Sequence, residues 1–184
     1  ANIIVYVKKR GIVVNEPAVI AVDKNTNKVI AIGKEAHAML ERTPEHIDAY
    51  HPMQNGVIAD YDATEYMLRY FIRKAIGNAL LFKPRVIICV PSSVTNVERR
   101  AVMEAAMQAG ARKTVVMEEP LAAAIGAGLD IASSNGSMIV DMGGGTTDVA
   151  VLSLSGIVIS ESLRIGSNTF DEAIITYLEK IKHV

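Results

Sequence analysis

The sequence predicts an α/β fold, and three observations carry that prediction. Apolar strand-like runs alternate with amphipathic helical segments through the middle of the chain. The run Val86-Ile87-Ile88-Cys89-Val90 is apolar without alternation, as in a strand covered on both faces. Residues 137–162 then read as a three-stranded meander, followed by one more helix.

Each element has its own local cause. Residues 3–7 and 12–14, joined by Lys8-Lys9-Arg10-Gly11, predict a hairpin. Residues 19–22 and 29–32, around Asp23-Lys24-Asn25-Thr26-Asn27, predict a second. A short helix covers 34–40. Residues 43–58 hold Pro44, Pro52 and Gly56 with little periodicity, which predicts a long surface excursion. The strongest helix spans about 62–76, where Met67, Leu68, Phe71, Ile72, Ala75 and Ile76 share one face and Gly77-Asn78 supplies the stop.

Strand 85–90 follows. A helix then opens on the capping box Thr95-x-x-Glu98 and closes at Gly110. Residues 114–117 predict another buried strand, and Pro120 starts a helix through 129. In that helix Ala122-Ala123-Ala124, Gly126 and Gly128 leave room for another backbone to come close. Residues 130–136 are a polar linker and the best candidate for a domain boundary. Beyond them, 137–141, 148–154 and 157–162 form the meander. A second capping box, Thr169-x-x-Glu172, opens a helix with Phe170, Ala173, Ile174, Tyr177 and Ile181 as its apolar stripe.

The chain has 184 residues, half of them hydrophobic, and a net charge of -1, so it can bury one good core or two small ones. Its 19 basic and 20 acidic residues offset each other and exclude an electrostatic case for nucleic acid. The single Cys89 excludes a disulfide framework and reads as a buried thiol. No apolar run approaches a membrane span and no secretory leader is visible, so a reduced cytosol is expected. His37, His46, His51 and His183 are scattered and indicate no structural metal.

The chemistry concentrates in Met138-Ile-Val-Asp141-Met-Gly143-Gly144-Gly145-Thr146-Thr147-Asp148, two strand-like runs joined by a glycine-rich acidic turn. Asp141 can hold a metal-bound water, while the amides of Gly143 to Thr146 wrap around phosphate oxygens. Neither a Walker A loop nor a dinucleotide fingerprint fits. The competing reading is a plain turn, with Asp141 as its cap and Thr146 and Thr147 as strand formers. Glu119, ahead of Pro120, suits an ordinary helix cap. Leu80-Leu81-Phe82, flanked by Arg73, Lys74, Lys83 and Arg85, would be an apolar wedge ringed by bases if exposed, suited to an anionic bilayer. The alternative is a loop folded back onto the core.

Glu119-Pro120-Leu121-Ala122-Ala123-Ala124-Ile125-Gly126, followed by Asp141-Met142-Gly143-Gly144-Gly145-Thr146-Thr147-Asp148, resembles the actin, Hsp70 and sugar-kinase superfamily. Asn15-Glu16-Pro17, Gly56-Val57-Ile58-Ala59-Asp60, Val90-Pro91-Ser92 and Asp171-Glu172-Ala173-Ile174 extend the likeness to MreB-type bacterial actins across the entire chain. The resemblance implies an actin-like ATPase (ribonuclease H-like) fold, present in part and truncated at both ends. Residues 1–132 would be most of domain I, with an outer subdomain at about 15–59, and 137–184 the first meander and helix of domain II.

It further implies ATP and Mg2+ as cofactors. Asp141 would hold Mg2+ through water, and Gly143, Gly144, Gly145, Thr146 and Thr147 would meet the phosphates. Glu119 would orient the attacking water, and Asn2 would be a remnant of a first phosphate loop. The intact protein would be a slow Mg-dependent ATPase forming filaments with itself on the inner face of the cell membrane. There it would organise the cell-wall elongation machinery and rod shape; a piece truncated in this way is expected to be inactive. An Hsp70-like chaperone fragment and an assembly module without nucleotide are the alternatives. Three departures stand out: Ile3 where Thr is common after Asn, Asp148 where Glu is common, and Ser167-Asn168 where Gly and Asp are usual. The last puts a nucleotide role for Asn168 in doubt.

Overall fold

The computed structural model describes residues 2–40, 42–54, 57–77 and 83–182. The chain condenses into two compact units, Ala1–Ile87 with Asn96–Val115 and Ile88–Thr95 with Val116–Val184. The predicted membrane wedge, Leu80, Leu81 and Phe82, lies outside the described residues.

In the first unit, β1 (Asn2–Val7) and β2 (Gly11–Pro17) form the predicted antiparallel hairpin. Its turn uses positive φ at Lys9 and Gly11, 70° and 77°. Strands β3 (Ile20–Asp23) and β4 (Lys28–Ile32) form the second hairpin, followed by the short α1 (Lys34–His37). The predicted excursion over 43–58 is instead partly ordered. β5 (Ile47–Tyr50) pairs with the free edge of β3, and β6 (Met53–Gln54) pairs with β7 (Val57–Ile58). The reason is tertiary: Ile47 and Ala49 pack on the buried cluster of Val19, Ala21, Ala31 and Ala36, which four residues of weak periodicity do not announce.

Helix α2 (Tyr61–Ile76) runs where its periodicity predicts. The Asp60 side chain caps it by accepting the Ala63 amide at 3.0 Å, and Gly77 ends it at φ 62°. Its inner face supplies Ala63, Met67 and Phe71 to a core with Val14, Ala18, Ile20 and Ile32. The buried Glu16 carboxylate joins β2 to α1 and α2. It accepts from the Lys74 ammonium at 2.5 Å and from the Lys34 amide at 3.4 Å. Burial alone would raise the Glu16 carboxyl, but these donors and the Lys74 charge outweigh it and lower its pKa. The bridge therefore stabilises the fold above the ordinary carboxylate range and weakens as acid titrates Glu16 below it. Gly33 sits at φ 74°, a conformation that strains other residues, and a Cβ there would push the Glu16 carboxylate, 2.1 Å away, off its donors.

Strand β8 (Arg85–Val90) pairs with β9 (Lys113–Glu118), with α3 (Asn96–Gln108) between them in sequence. Two expectations fail here. β8 alternates rather than being covered on both faces, so Arg85, Ile87 and Cys89 share an exposed face and the Cys89 thiol is not buried. In β9, Val115 is likewise exposed. An apolar strand's composition does not reveal which of its faces a neighbour covers.

In the second unit, α4 (Glu119–Gly126) packs on an antiparallel meander of β10 (Ser137–Met142), β11 (Thr147–Ser153) and β12 (Gly156–Leu163). Ala124 is fully buried against Ala150 and Leu152, the close approach that the small residues predict. Residues 130–136 lie inside this unit, where Ser133 and Ile131 carbonyls accept the amides of Leu154 and Ser155. Helix α5 (Ser167–Lys182) starts two residues before Thr169, which is therefore inside the helix rather than its cap. Its stripe of Phe170, Ile174, Tyr177 and Ile181 is exposed.

Candidate functional site

The glycine turn joins β10 to β11, and its register follows from its length. The Gly143 amide donates to the Thr146 carbonyl at 2.8 Å and closes the turn. The ladder then pairs Met142 with Thr147 and Asp141 with Asp148. Residues directly opposite in an antiparallel pair share a face, with Cβ atoms roughly 4.5–5.5 Å apart. Two carboxylates thus face each other across the strands at the base of the turn.

Glu119, at the first residue of α4, completes the group. Burial raises its carboxyl first, and the charges of Asp148 and Asp141 add, pushing its pKa up to about 7. Cys89 stands in the same field: partial desolvation, then Glu119 and Asp141, hold its thiol above the ordinary range. Asp148 is 1% exposed. Its Oδ1 accepts the Ser92 amide at 2.9 Å, while Oδ2 and the neighbouring Ser92 Oγ are buried without protein partners. The Ser93 hydroxyl donates to Ser162 Oγ at 3.2 Å, and Ser162 is the β12 partner of Asp148. The 91–93 loop is thereby held over one rung of the meander.

Like charges directly opposite in a ladder destabilise it. Glu119, Asp141, Asp148 and the unsatisfied Asp148 oxygen together call for positive charge or ordered water. Among the described residues no three His, Cys, Asp or Glu side chains are placed to chelate a metal directly. Carboxylate oxygens are donors that suit a hard cation.

The structure brings Glu119, Asp141 and Gly143–Thr147 into one unit. Thr146 and Thr147 are buried, and the Thr147 hydroxyl donates to the Ile165 carbonyl at 2.7 Å, so that hydroxyl is already engaged. Asn2 belongs to the other unit. It is exposed and donates through Nδ2 to Asn15 Oδ1 at 3.0 Å. Local sequence pattern does not announce Ser92 or the placement of Asp148 in this site. The second is within reach of sequence, since a four-residue turn over 143–146 pairs 141 with 148. The first is not, because 56 residues separate Ser92 from its partner.

Comparison with known proteins follows the same outline. A family model described as MreB/Mbl protein matches residues 1–184. The cell shape-determining protein MreB of Haemophilus influenzae is 52% identical over 185 residues, covering 98% of this chain and 53% of that relative. The cell shape-determining protein Mbl of Bacillus subtilis is 48% identical over 180 residues, covering 98% and 54%. The chain thus spans about half the length of the curated relatives it matches. The crystal structure of MreB5 of Spiroplasma citri bound to ADP superposes with a TM-score of 0.92 at 36% identity, covering 100% of this chain and 55% of that one. The MamK double helical filament superposes at 0.76 with 21% identity, covering 94% and 54%, a likeness of fold alone. The fold is that of the actin-like ATPases, sheets flanked by helices.

Proposed function

The chain belongs to the MreB/Mbl family, and from that premise we propose that it is the nucleotide-facing part of an ATP-dependent, filament-forming bacterial actin. In this reading residues 1–132 are most of domain I, with an outer subdomain at about 15–59, and 137–184 open domain II. The observation that carries it is the glycine turn closed above the facing pair Asp141 and Asp148, with Glu119 held near neutrality beside them. Facing carboxylates beside bare glycine amides suit a polyphosphate with its counter-ion: the acids meet the cation and the amides the phosphate oxygens.

Among the described residues the amides of Gly144 and Gly145 donate no hydrogen bond, which leaves them for phosphate oxygens. Asp141 would hold Mg2+ through a water, and the bound ion would supply charge neutralisation to the phosphates. Glu119 accepts a hydrogen bond from the attacking water, orients it and takes its proton. Asn2 keeps its assignment as the remnant of a first phosphate loop. The relative MreB5 of Spiroplasma citri, in crystal structures bound to ADP and to AMPPNP, supports the nucleotide.

The decisive measurement is calorimetric titration of the full-length protein with Mg-ATP. Binding is expected in the wild type, weakened roughly 10-fold or more by Asp141→Asn, the loss of one charge-assisted interaction. No binding by the wild type, or equal binding by both, would overturn the reading.

Filaments of this protein, as we read it, lie on the inner face of the cell membrane and organise the cell-wall elongation machinery; the name cell shape-determining protein, borne by the MreB and Mbl relatives, supports the role in cell shape. Among the described residues no helix is long and apolar enough to cross a membrane. Attachment is assigned to the wedge Leu80-Leu81-Phe82 on its sequence, an apolar triplet flanked by basic residues. One wedge binds weakly and a filament sums many. Leu81→Glu in the full-length protein is expected to abolish co-sedimentation with anionic liposomes while polymerisation persists. Equal sedimentation of variant and wild type would remove the wedge from the account.

A further inference from the structure

The phosphate turn does not hold its shape alone. The Gly143 and Gly144 carbonyls accept the amides of Ser167 and Asn168, at 3.0 and 2.9 Å, from the first two residues of α5. Immediately before these two residues sits the buried Gly166, packed against the turn's backbone. A Cβ there would lie 2.6 Å from the Gly143 oxygen and 2.5 Å from the Gly144 oxygen, distances that backbone atoms cannot yield without moving. The Thr147 hydroxyl, bonded to the Ile165 carbonyl, ties down the other end.

Peptide planarity turns this buttress into a statement about chemistry. In a trans peptide unit the C=O of one residue and the N–H of the next point in opposite directions, and the described chain has no cis bond. Drawing the Gly143 carbonyl toward α5 therefore aims the Gly144 N–H away from it. Drawing in the Gly144 carbonyl does the same for the Gly145 N–H. These are the two amides left without an acceptor.

We propose that Gly166 and the leading amides of α5 are positioning residues for the phosphate site, setting the direction in which Gly144 and Gly145 present their N–H groups. The inference rests on the nucleotide reading above and assigns a role to an element outside the glycine turn. Ser167 and Asn168 act through their backbone N–H, so their side chains are free to differ from the Gly and Asp usual at these places. The departure in this turn then carries no functional penalty.

The test uses the full-length protein and compares binding of Mg-ADP with binding of adenosine, which has no phosphate. Gly166→Ala is expected to weaken Mg-ADP roughly 10- to 100-fold, the worth of one or two charge-assisted hydrogen bonds, and to leave adenosine within about two-fold. Ser167→Pro deletes one donor at a first-turn position where proline is tolerated, and should weaken Mg-ADP at least several-fold. Unchanged Mg-ADP affinity in both Gly166→Ala and Ser167→Pro would overturn the proposal, as would equal loss of adenosine, which marks a merely structural role. A wild type that binds adenosine but gains nothing from the phosphates would sink the underlying site reading instead.

Discussion

Glu119→Gln in the full-length protein is expected to lower ATP hydrolysis by about 10- to 1000-fold while Mg-ATP affinity changes little. Glutamine keeps the shape and can still meet a water, but it cannot take a proton from it. In the nucleotide-free protein the raised carboxyl also makes stability depend on pH. The folded carboxyl titrates near 7 and the unfolded one near 4.5, so between these values the folded chain retains a proton that the unfolded chain has released. Stability of the nucleotide-free protein therefore declines as pH rises from about 4.5 to about 7, and Glu119→Gln should flatten that decline. Single-turnover hydrolysis and thermal unfolding across this range measure both effects. A variant that hydrolyses at the wild-type rate would remove Glu119 from the chemistry.

Phe71→Ala should be the most damaging core substitution, costing about 3–5 kcal/mol. Phe71 is 1% exposed, stands edge-on to Tyr70 with centroids 5.1 Å apart, and joins α2 to β2, β3 and β4 through Val14, Ile20 and Ile32. Deleting the ring opens a cavity on a face held on several sides, where collapse is limited. Equilibrium denaturation reads the loss. A change under about 1 kcal/mol would mean that the surrounding strands repack freely and that α2 is less firmly seated than its packing indicates.

Helix α2 shows how much of this fold is legible locally. Its 3.6-residue stripe and the Gly77 stop predict its span to within a residue. Both hairpins, the meander and the glycine turn are equally readable, because turn residues and alternation act over a few positions. Sequence pattern fails where the cause is distant. β5 exists because β3 offers it an edge, α5 begins at Ser167 because its amides have acceptors in another turn, and Cys89 is exposed because β8 is covered on only one face.

The same division runs through the candidate site. Sequence alone determined which groups are available: a run of glycines, an acid at each end of it, and Glu119 ahead of a proline, all dictated by short-range backbone geometry. Tertiary structure alone decided what those groups can do. Packing α4 onto the meander brings Glu119 into the field of Asp141 and Asp148 and lifts its carboxyl to about 7. Docking α5 onto the turn orients the amides of Gly144 and Gly145. Charge and burial act through space, and positions 119 and 166 become neighbours of the turn only once the helices have packed.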